Sequence, residues 1–451
     1  MLDMLRNQAV GMTFDGLTED DVLSISAAYG EPEWVRDRRL EAFKAFSDLP
    51  WPTGREEEWR YTKPQRFDLA RELSTSPGDA PAVSRGIVAL RAGERAALAR
   101  IVDGGVVEAN VSDAAAAQGI VVTDLAAAAR EHADVVQAAL GSAVGAETKF
   151  DALNLAAFTG GVFVYVPRDV ELTEPVAITV QAAAGGAFAP RILIVLGDNA
   201  RAPIYIDHAG DAQATVVEVI ETVLGTGAQA HVVTAQDWGD DVDHIAAHTG
   251  LVGDNADYRH LEVSLGGKTV YLRPDVRLDN PGGNAEMLGV YFCDEGQHME
   301  HRSLIHHNAS HTSSELVYKG ALQGDSRATF YGTIRIEEHA KATVSDETNR
   351  NLILTDKARA DSIPVLEILN SDVVRCGHHS SVGQVDELQL FYLESRGIPR
   401  DEAARLLVFG FFAEVTDRID LPGVTEVVLE EVEREIRTGP TALMNQRRSA
   451  Q

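Results

Sequence analysis

Gly197-Asp-Asn-Ala200, Gly225-Thr-Gly-Ala228, Gly253-Asp-Asn-Ala256 and Gly282-Gly-Asn-Ala285 repeat one turn-like tetrad, with first glycines 28, 28 and 29 residues apart. A period in this range is what stacked rungs produce, because each rung turns its corner at an equivalent place and a small residue there admits a positive φ. Around the tetrads, from about Ala156 to Val374, the chain is written in short Val-, Ile- and Thr-rich runs broken by Gly, Asp and Asn, with no helical period of useful length. The pattern predicts a mainly β fold whose core is a right-handed parallel β-helix or a similar solenoid. The competing architecture is a β-sandwich with recurrent Asx-Gly turns. Beyond Ile334 the spacing becomes irregular.

Helical patterns flank this core. Thr18 with Asp21 resembles a capping box, Pro32 suits a helix start, and Leu40, Phe43 and Phe46 recur every three residues, so two short helices are expected between Thr18 and Leu49. The aromatics of Trp51–Thr62 suit a loop that fastens this region to the next. Ser74–Ser84 reads as a linker and Thr123–Leu140 as an Ala-rich helix. Near the C-terminus, Asp386–Ser395 is an amphipathic helix with Gly397 as its C′ residue and Pro399 barring continuation. Ala403–Arg418 is apolar around most of its circumference and needs burial on most sides. An acidic helix, Thr425–Arg437, and a frayed tail complete the chain. The expected organisation is an N-terminal helical and mixed region (1–150), a β-helix core (151–384) and a C-terminal helical, partner-docking region (385–451).

With 451 residues, 45% of them hydrophobic and 24% charged, the chain affords a large core and is no disordered polymer. A formal charge of −29 argues against nucleic acid and anionic membranes as partners, since both would repel such a surface. The longest apolar runs, Arg191–Gly197 and Leu406–Val415, fall far short of a membrane span, and the first residues lack the order of a signal or transit peptide, so a cytoplasmic protein is expected. Two cysteines, Cys293 and Cys376, exclude a disulfide framework and cannot supply the four thiolates that most [4Fe–4S] clusters take.

Five histidines crowd Gln297–His311. Among them His298 and His301 are candidate metal ligands or supporting polar groups, imidazole being suited to Zn, Cu, Fe and Ni; the plainer alternative is a hydrogen-bonded polar ladder along a solenoid face. Cys376 sits in Arg375-Cys-Gly-His-His379, where Arg375, His378 and His379 are expected to favour the thiolate. In an extended segment residues 376 and 378 project to one face, so thiol and imidazole could meet one external object; a buried structural cysteine is the alternative. Cys293 reads as strand packing. Phosphate-loop, nucleophile-elbow, His-Glu-x-x-His and Cys-x-x-Cys motifs are all missing, so the chain itself is expected to bind no nucleotide and to be no enzyme.

Taken in order, Glu57-Glu-Trp-Arg-Tyr-Thr62, Gln297–His301, Tyr318-Lys-Gly320, Asn349-Arg-Asn-Leu352, Ala360–Ile368, Asp372–Gly383 and Leu390–Ile398 resemble the SufB/SufD family of the SUF iron–sulfur assembly system, and the SufD branch more than SufB, whose members tend to be richer in cysteine. The resemblance implies a right-handed parallel β-helix flanked by helical parts. It also implies a non-catalytic scaffold subunit that meets a SufB-like subunit and docks a SufC-like ABC-type ATPase, with a homodimer open to the isolated chain. By resemblance His378 is the metal ligand offered to a transient iron–sulfur cluster shared with the partner, with Cys376 beside it. Phe391, Arg396, Gly397, Leu406, Phe409, Phe411 and Phe412 match the region that docks the ATPase. Two departures bear on this: Gly377-His-His-Ser380 replaces the family's usual Ser-His-Gly-Ala, so His378 is preferred to His379 on spacing alone, and Asp346-Glu-Thr348 stands where the family often has Gln. The rival readings are a SufB-like scaffold, a mononuclear metalloenzyme using His298 and His301, and a β-helical carbohydrate enzyme needing paired carboxylates in a groove.

Overall fold

The computed structural model describes residues 11–75, 78, 95–294, 296–419 and 424–438. Most of the expected linker Ser74–Ser84 and the expected tail after Thr438 lie outside the described residues.

Each short β-run has an inward and an outward set of side chains, and successive runs pair in parallel at a fixed offset, which winds the chain into a solenoid of about eight turns. One wall is built from Ala97–Val102, Val176–Gln181, Arg201–Gly210, Gln229–Trp238, Asp257–Ser264, Asn284–Cys293, Ser313–Leu322, Thr343–Ile353 and Val373–Gln384. The second is built from Gly160–Val166, Pro190–Leu196, Ala214–Leu224, Val242–Leu251, Thr269–Leu278, His298–His307, Arg327–Ile336 and Arg359–Ile368. Antiparallel strands, Gly105–Val111 on the first wall and Val121–Asp124 on the second, close the N-terminal end. At the other end Val373–Gln384 and Arg359–Ile368 each pair with a single neighbouring strand among the described residues. The interior is filled by inward aliphatics such as Val162, Ile178, Ile204, Val232, Leu272 and Met287.

The tetrads do mark rung corners, but the left-handed residue does not hold one tetrad position. In the first three it is the third residue, Asn199 (φ 56), Gly227 (φ 67) and Asn255 (φ 51), and in the fourth it is the first, Gly282 (φ 74), so the fourth tetrad is displaced by two positions, with Gly282 and Gly283 standing where Asn255 and Ala256 stand one rung earlier. The amide of Asn199 donates to Thr226, Gly227 to Asp254 and Asn255 to Pro281, each bond reaching the next rung. Asp169 (φ 59), His311 (φ 61) and Ala342 (φ 54) extend the same column. Glycine and asparagine tolerate this conformation best, which is why the repeat is visible where they occupy the corner and fades once His311 and Ala342 do.

The flanking helices cover the outer faces of the walls. Glu19–Ala28 begins with the Thr18/Asp21 capping box, and Glu33–Asp48 follows. Leu125–Glu131 and Ala133–Ala139 form within the Ala-rich stretch. Helix Lys149–Ala157 lies against the second wall, where Asn154 donates to the carbonyls of Pro190 and Val217. The Trp51–Thr62 loop fastens onto the same wall as expected: Trp59 stacks on Tyr271 with ring centroids 4.5 Å apart. On the first wall, helices Arg400–Thr416 and Val424–Thr438 press Val408, Phe412, Val428 and Val432 onto Leu261, Leu288, Val290 and Phe292.

Candidate functional site

The C-terminal end of the solenoid gathers the polar groups that the sequence singled out around Cys376. Parallel pairing places Cys376 on Ser345 and His378 on Glu347. Ser345 and Glu347 are both buried, so residues 376 and 378 share the parity that faces the interior. Cys376 is half-buried and packs with Ile334, Ile336 and Ala340, whereas His378 is exposed on the terminal strand. His379 has the opposite parity and lies 3.8 Å from Asp346. The expected thiolate activation is overturned: burial raises the Cys376 thiol above its ordinary value, and the charges of Asp346 and Glu347 push the same way.

Glu347 is the group here that sequence reading left uncertain. It is fully buried, and neither carboxylate oxygen has a hydrogen-bond partner among the described residues. Burial, with a smaller push from Asp346, raises its carboxyl to about 8. Room for it comes from Gly332 on the opposite wall, where any Cβ would collide with its Oε1. Beside it a polar network runs from Asn351 to Asn349 (2.7 Å), from Ser362 to Asn349 (2.6 Å) and from Ser380 to Ser362 (2.8 Å). A carboxylate, an imidazole and a thiol thus line the last two strands of one wall, beside sheet edges that pair on one side. Such a set can furnish part of a coordination sphere for iron and leaves the rest to another chain.

His298 and His301 are not brought together. Three residues apart on one strand, they point to opposite faces. His298 lies beneath the N-terminal loop with its Nε2 2.7 Å from the Thr62 hydroxyl, which donates to Glu300 at 2.6 Å. His301 is inside the solenoid, stacked on Tyr291 and 2.9 Å from the Ser264 hydroxyl. Burial depresses both imidazoles, to about 4 and about 3, which keeps them neutral. Cys293 is wholly buried strand packing, as expected.

A different histidine group, missed in the sequence, surrounds Glu218 inside the solenoid: His208 from the first wall, and His244 and His248 from the next rung of the second. One signal was available. Adding a 28-residue period to Glu218 reaches Ala246, its partner in the register, and the two histidines flank that position by two residues on either side.

The residues matched to ATPase docking divide by burial. Phe391 is 68% exposed and Leu406 39%, with Leu388 and Tyr392 also exposed. Arg396 lies over the Tyr392 ring, and Gly397 adopts the left-handed C′ conformation (φ 87) expected of it. Phe409 and Phe411 are half-buried, and Phe412 is buried against the first wall, out of reach of a partner. Much of the oily character of Arg400–Thr416 is therefore spent on the chain's own sheet and neighbouring helices.

Residues 178–411 match the family model described as SUF system FeS cluster assembly, SufBD core domain, and residues 26–178 match the SufBD protein N-terminal region. The chain is 36% identical to an iron–sulfur cluster assembly SufBD family protein of Mycobacterium leprae across 85% of its own length and 90% of that protein's. It is 41% identical to a SufBD family protein of Mycobacterium bovis over 62% of its length and 72% of the relative's. It is also 28% identical to the iron–sulfur cluster assembly protein SufB of Bacillus subtilis over 91% of both chains.

Proposed function

Because the chain belongs to the SufBD family of SUF iron–sulfur cluster assembly proteins, we propose that it is the SufD-type, non-catalytic scaffold subunit of a cytoplasmic assembly complex. The observation that carries this reading is the terminal rung. Cys376 and His378 share a parity over the carboxylate of Glu347, which has no partner among the described residues, on a strand that pairs there on one side only. A SufB-like subunit would meet that edge and complete the coordination of a transient cluster that is cargo, not a resident cofactor. Exposed apolar side chains near it, Val374 at 70% and Leu369 at 49%, favour contact with another protein surface.

The exposed face of helix Glu387–Ser395, with Leu388, Phe391 and Tyr392, would dock the SufC-like ATPase, which supplies the nucleotide chemistry that this chain has no motif for. ATP binding would draw two such ATPases together and move this chain against its partner, opening the shared site. Paucity of cysteine favours the SufD over the SufB role, although the similarity to a SufB protein spans most of the chain.

The test is iron and sulfide content of the co-purified complex. His378→Ala and the double variant with Cys376→Ala are expected to lower it severalfold while the subunits still co-purify. Unchanged loading in the double variant would remove both residues from the site.

A further inference from the structure

Six strand steps from the terminal rung, the solenoid interior holds the group around Glu218. At about 4.8 Å per step this is roughly 29 Å from Cys376, too far for the two places to share an ion. The Glu218 carboxylate and the rings of His208, His244 and His248 are all buried. Glu218 Oε2 lies 2.8 Å from Nε2 of His208 and 3.3 Å from Nε2 of both His244 and His248. The ligand atoms of His208, Glu218 and His244 all fall within 4.8 Å of one another.

Hydrogen bonding accounts for only part of this packing: His208 Nε2 meets the carboxylate at 2.8 and 2.9 Å and His248 Nε2 at 3.3 Å. His244 Nε2 faces the carboxylate outside hydrogen-bond geometry, and His248 Nδ1 has no partner among the described residues. Nitrogen and oxygen atoms 3.3 Å apart match the edge of a tetrahedron around an ion with bonds of about 2.0–2.1 Å. One surrounding contact also suits coordination. His208 Nδ1 sits 3.3 Å from the Ala235 carbonyl, a contact that fixes the proton on Nδ1 and leaves the Nε2 lone pair for a metal. Trp238 donates its indole N–H to His244 Nδ1 at 3.2 Å, holding that ring with Nε2 directed at Glu218.

We propose that Glu218, His208 and His244, with His248 as fourth donor, bind one resident divalent first-row transition metal ion that staples the two walls of the solenoid together. Imidazole and carboxylate donors in this ratio suit zinc, with cobalt as its spectroscopic substitute. With Nδ1 accepting from Trp238, a neutral His244 carries its proton on Nε2, so coordination requires that proton to move to Nδ1 and the 3.2 Å indole contact to open. Glu218 then offsets one of the ion's two charges. The site is independent of the scaffold role proposed above, because its donors lie on other rungs and no partner chain is needed to complete it.

Since the site is buried, loading must accompany folding, so the full-length chain is produced in medium supplemented with Zn2+ or Co2+ and its metal content measured after gel filtration. About one ion per chain is expected, the cobalt form showing the visible absorption of a four-coordinate nitrogen and oxygen site. Glu218→Gln and the volume-conserving His208→Gln are expected to lower retained metal about tenfold or more, with unchanged far-ultraviolet circular dichroism as the check on folding. A variant that does not fold is replaced by His248→Gln, expected to weaken retention. A chain carrying no metal from either medium, or a folded Glu218→Gln chain carrying as much as the parent, overturns the proposal. So does metal that disappears with Cys376→Ala and His378→Ala but survives Glu218→Gln, since it would belong to the terminal rung.

Discussion

Gly332 on one wall and Glu347 on the other occupy complementary space, so that a single methyl group on Gly332 would overlap the Glu347 carboxylate. The first prediction follows from that fit. Gly332→Ala should destabilise the chain by about 1–3 kcal/mol in chemical denaturation, the usual cost of overpacking a core. In a Glu347→Ala background most of that cost should vanish, giving a coupling of about 0.5–3 kcal/mol. A remainder is expected because the Phe330 ring lies 2.9 Å from the same point. Equal penalties in both backgrounds would show that the carboxylate does not fill the space.

Glu262 gives a pH dependence of definite sign. Burial raises its carboxyl to about 8, against acceptance of a 3.1 Å hydrogen bond from Tyr318, with His301 at 3.5 Å and His208 the nearby charge. A carboxyl whose folded value exceeds its unfolded value keeps its proton in the native state while the unfolded chain loses it. The native state is therefore penalised progressively as pH rises from about 4.5 to about 8. Glu262→Gln, which keeps a neutral polar group, should become more stable relative to the parent across that window by up to a few kcal/mol, each pH unit contributing at most about 1.4 kcal/mol. Parallel stability curves for the two chains would refute the assignment.

Arg191 and Glu221 form a wholly buried ion pair, 2.6 Å apart, whose remaining polar atoms are well occupied. Glu221 also accepts from the amides of Gly141, Ala143 and Val144, while Arg191 reaches Asn154 and the Val144 carbonyl, so the pair ties the segment after Ala139 onto the second wall. Removing one charge strands the other: Arg191→Met should cost about 3–5 kcal/mol. Replacing both, with Glu221→Leu added, should cost less than the single change, and hydrogen exchange at residues 141–144 should rise in either case. A double variant less stable than Arg191→Met would contradict this account.

The solenoid was legible because its repeat is local: glycine or asparagine at one corner per rung, with apolar alternation between corners. The tetrad alone did not reveal which of its residues turns, since a positive φ is carried by Asn199 and Asn255 as readily as by Gly227. The Glu218 group was hidden because its members lie on separate runs, and only the strand register shows that residues 208, 218, 244 and 248 converge. His298 and His301, offered together as candidate ligands, share the strand His298–His307 three residues apart, and its parity sends them to opposite faces. The Cys376 thiol was misread because neighbours in sequence were weighed and neighbours across the sheet, Asp346 and Glu347, were not visible.

The same limit explains the C-terminal region, where apolar periodicity cannot distinguish a helix that covers its own sheet from one that offers a face to another protein. Phe412 and Phe391 belong to the two cases, one fully buried and the other 68% exposed. Phe412→Ala removes a ring packed on the first wall and should cost about 3–5 kcal/mol, lowering co-purification of a SufC-like ATPase only in proportion to the folded fraction. Phe391→Asp touches no core and should change stability by no more than about 0.5 kcal/mol. Should the helix Glu387–Ser395 be the docking surface, Phe391→Asp will nonetheless abolish ATPase co-purification at full solubility, because it sets a charge in the middle of the apolar patch that a partner must desolvate. A Phe391→Asp chain that is as stable as the parent and still retains the ATPase would move the docking surface away from this helix.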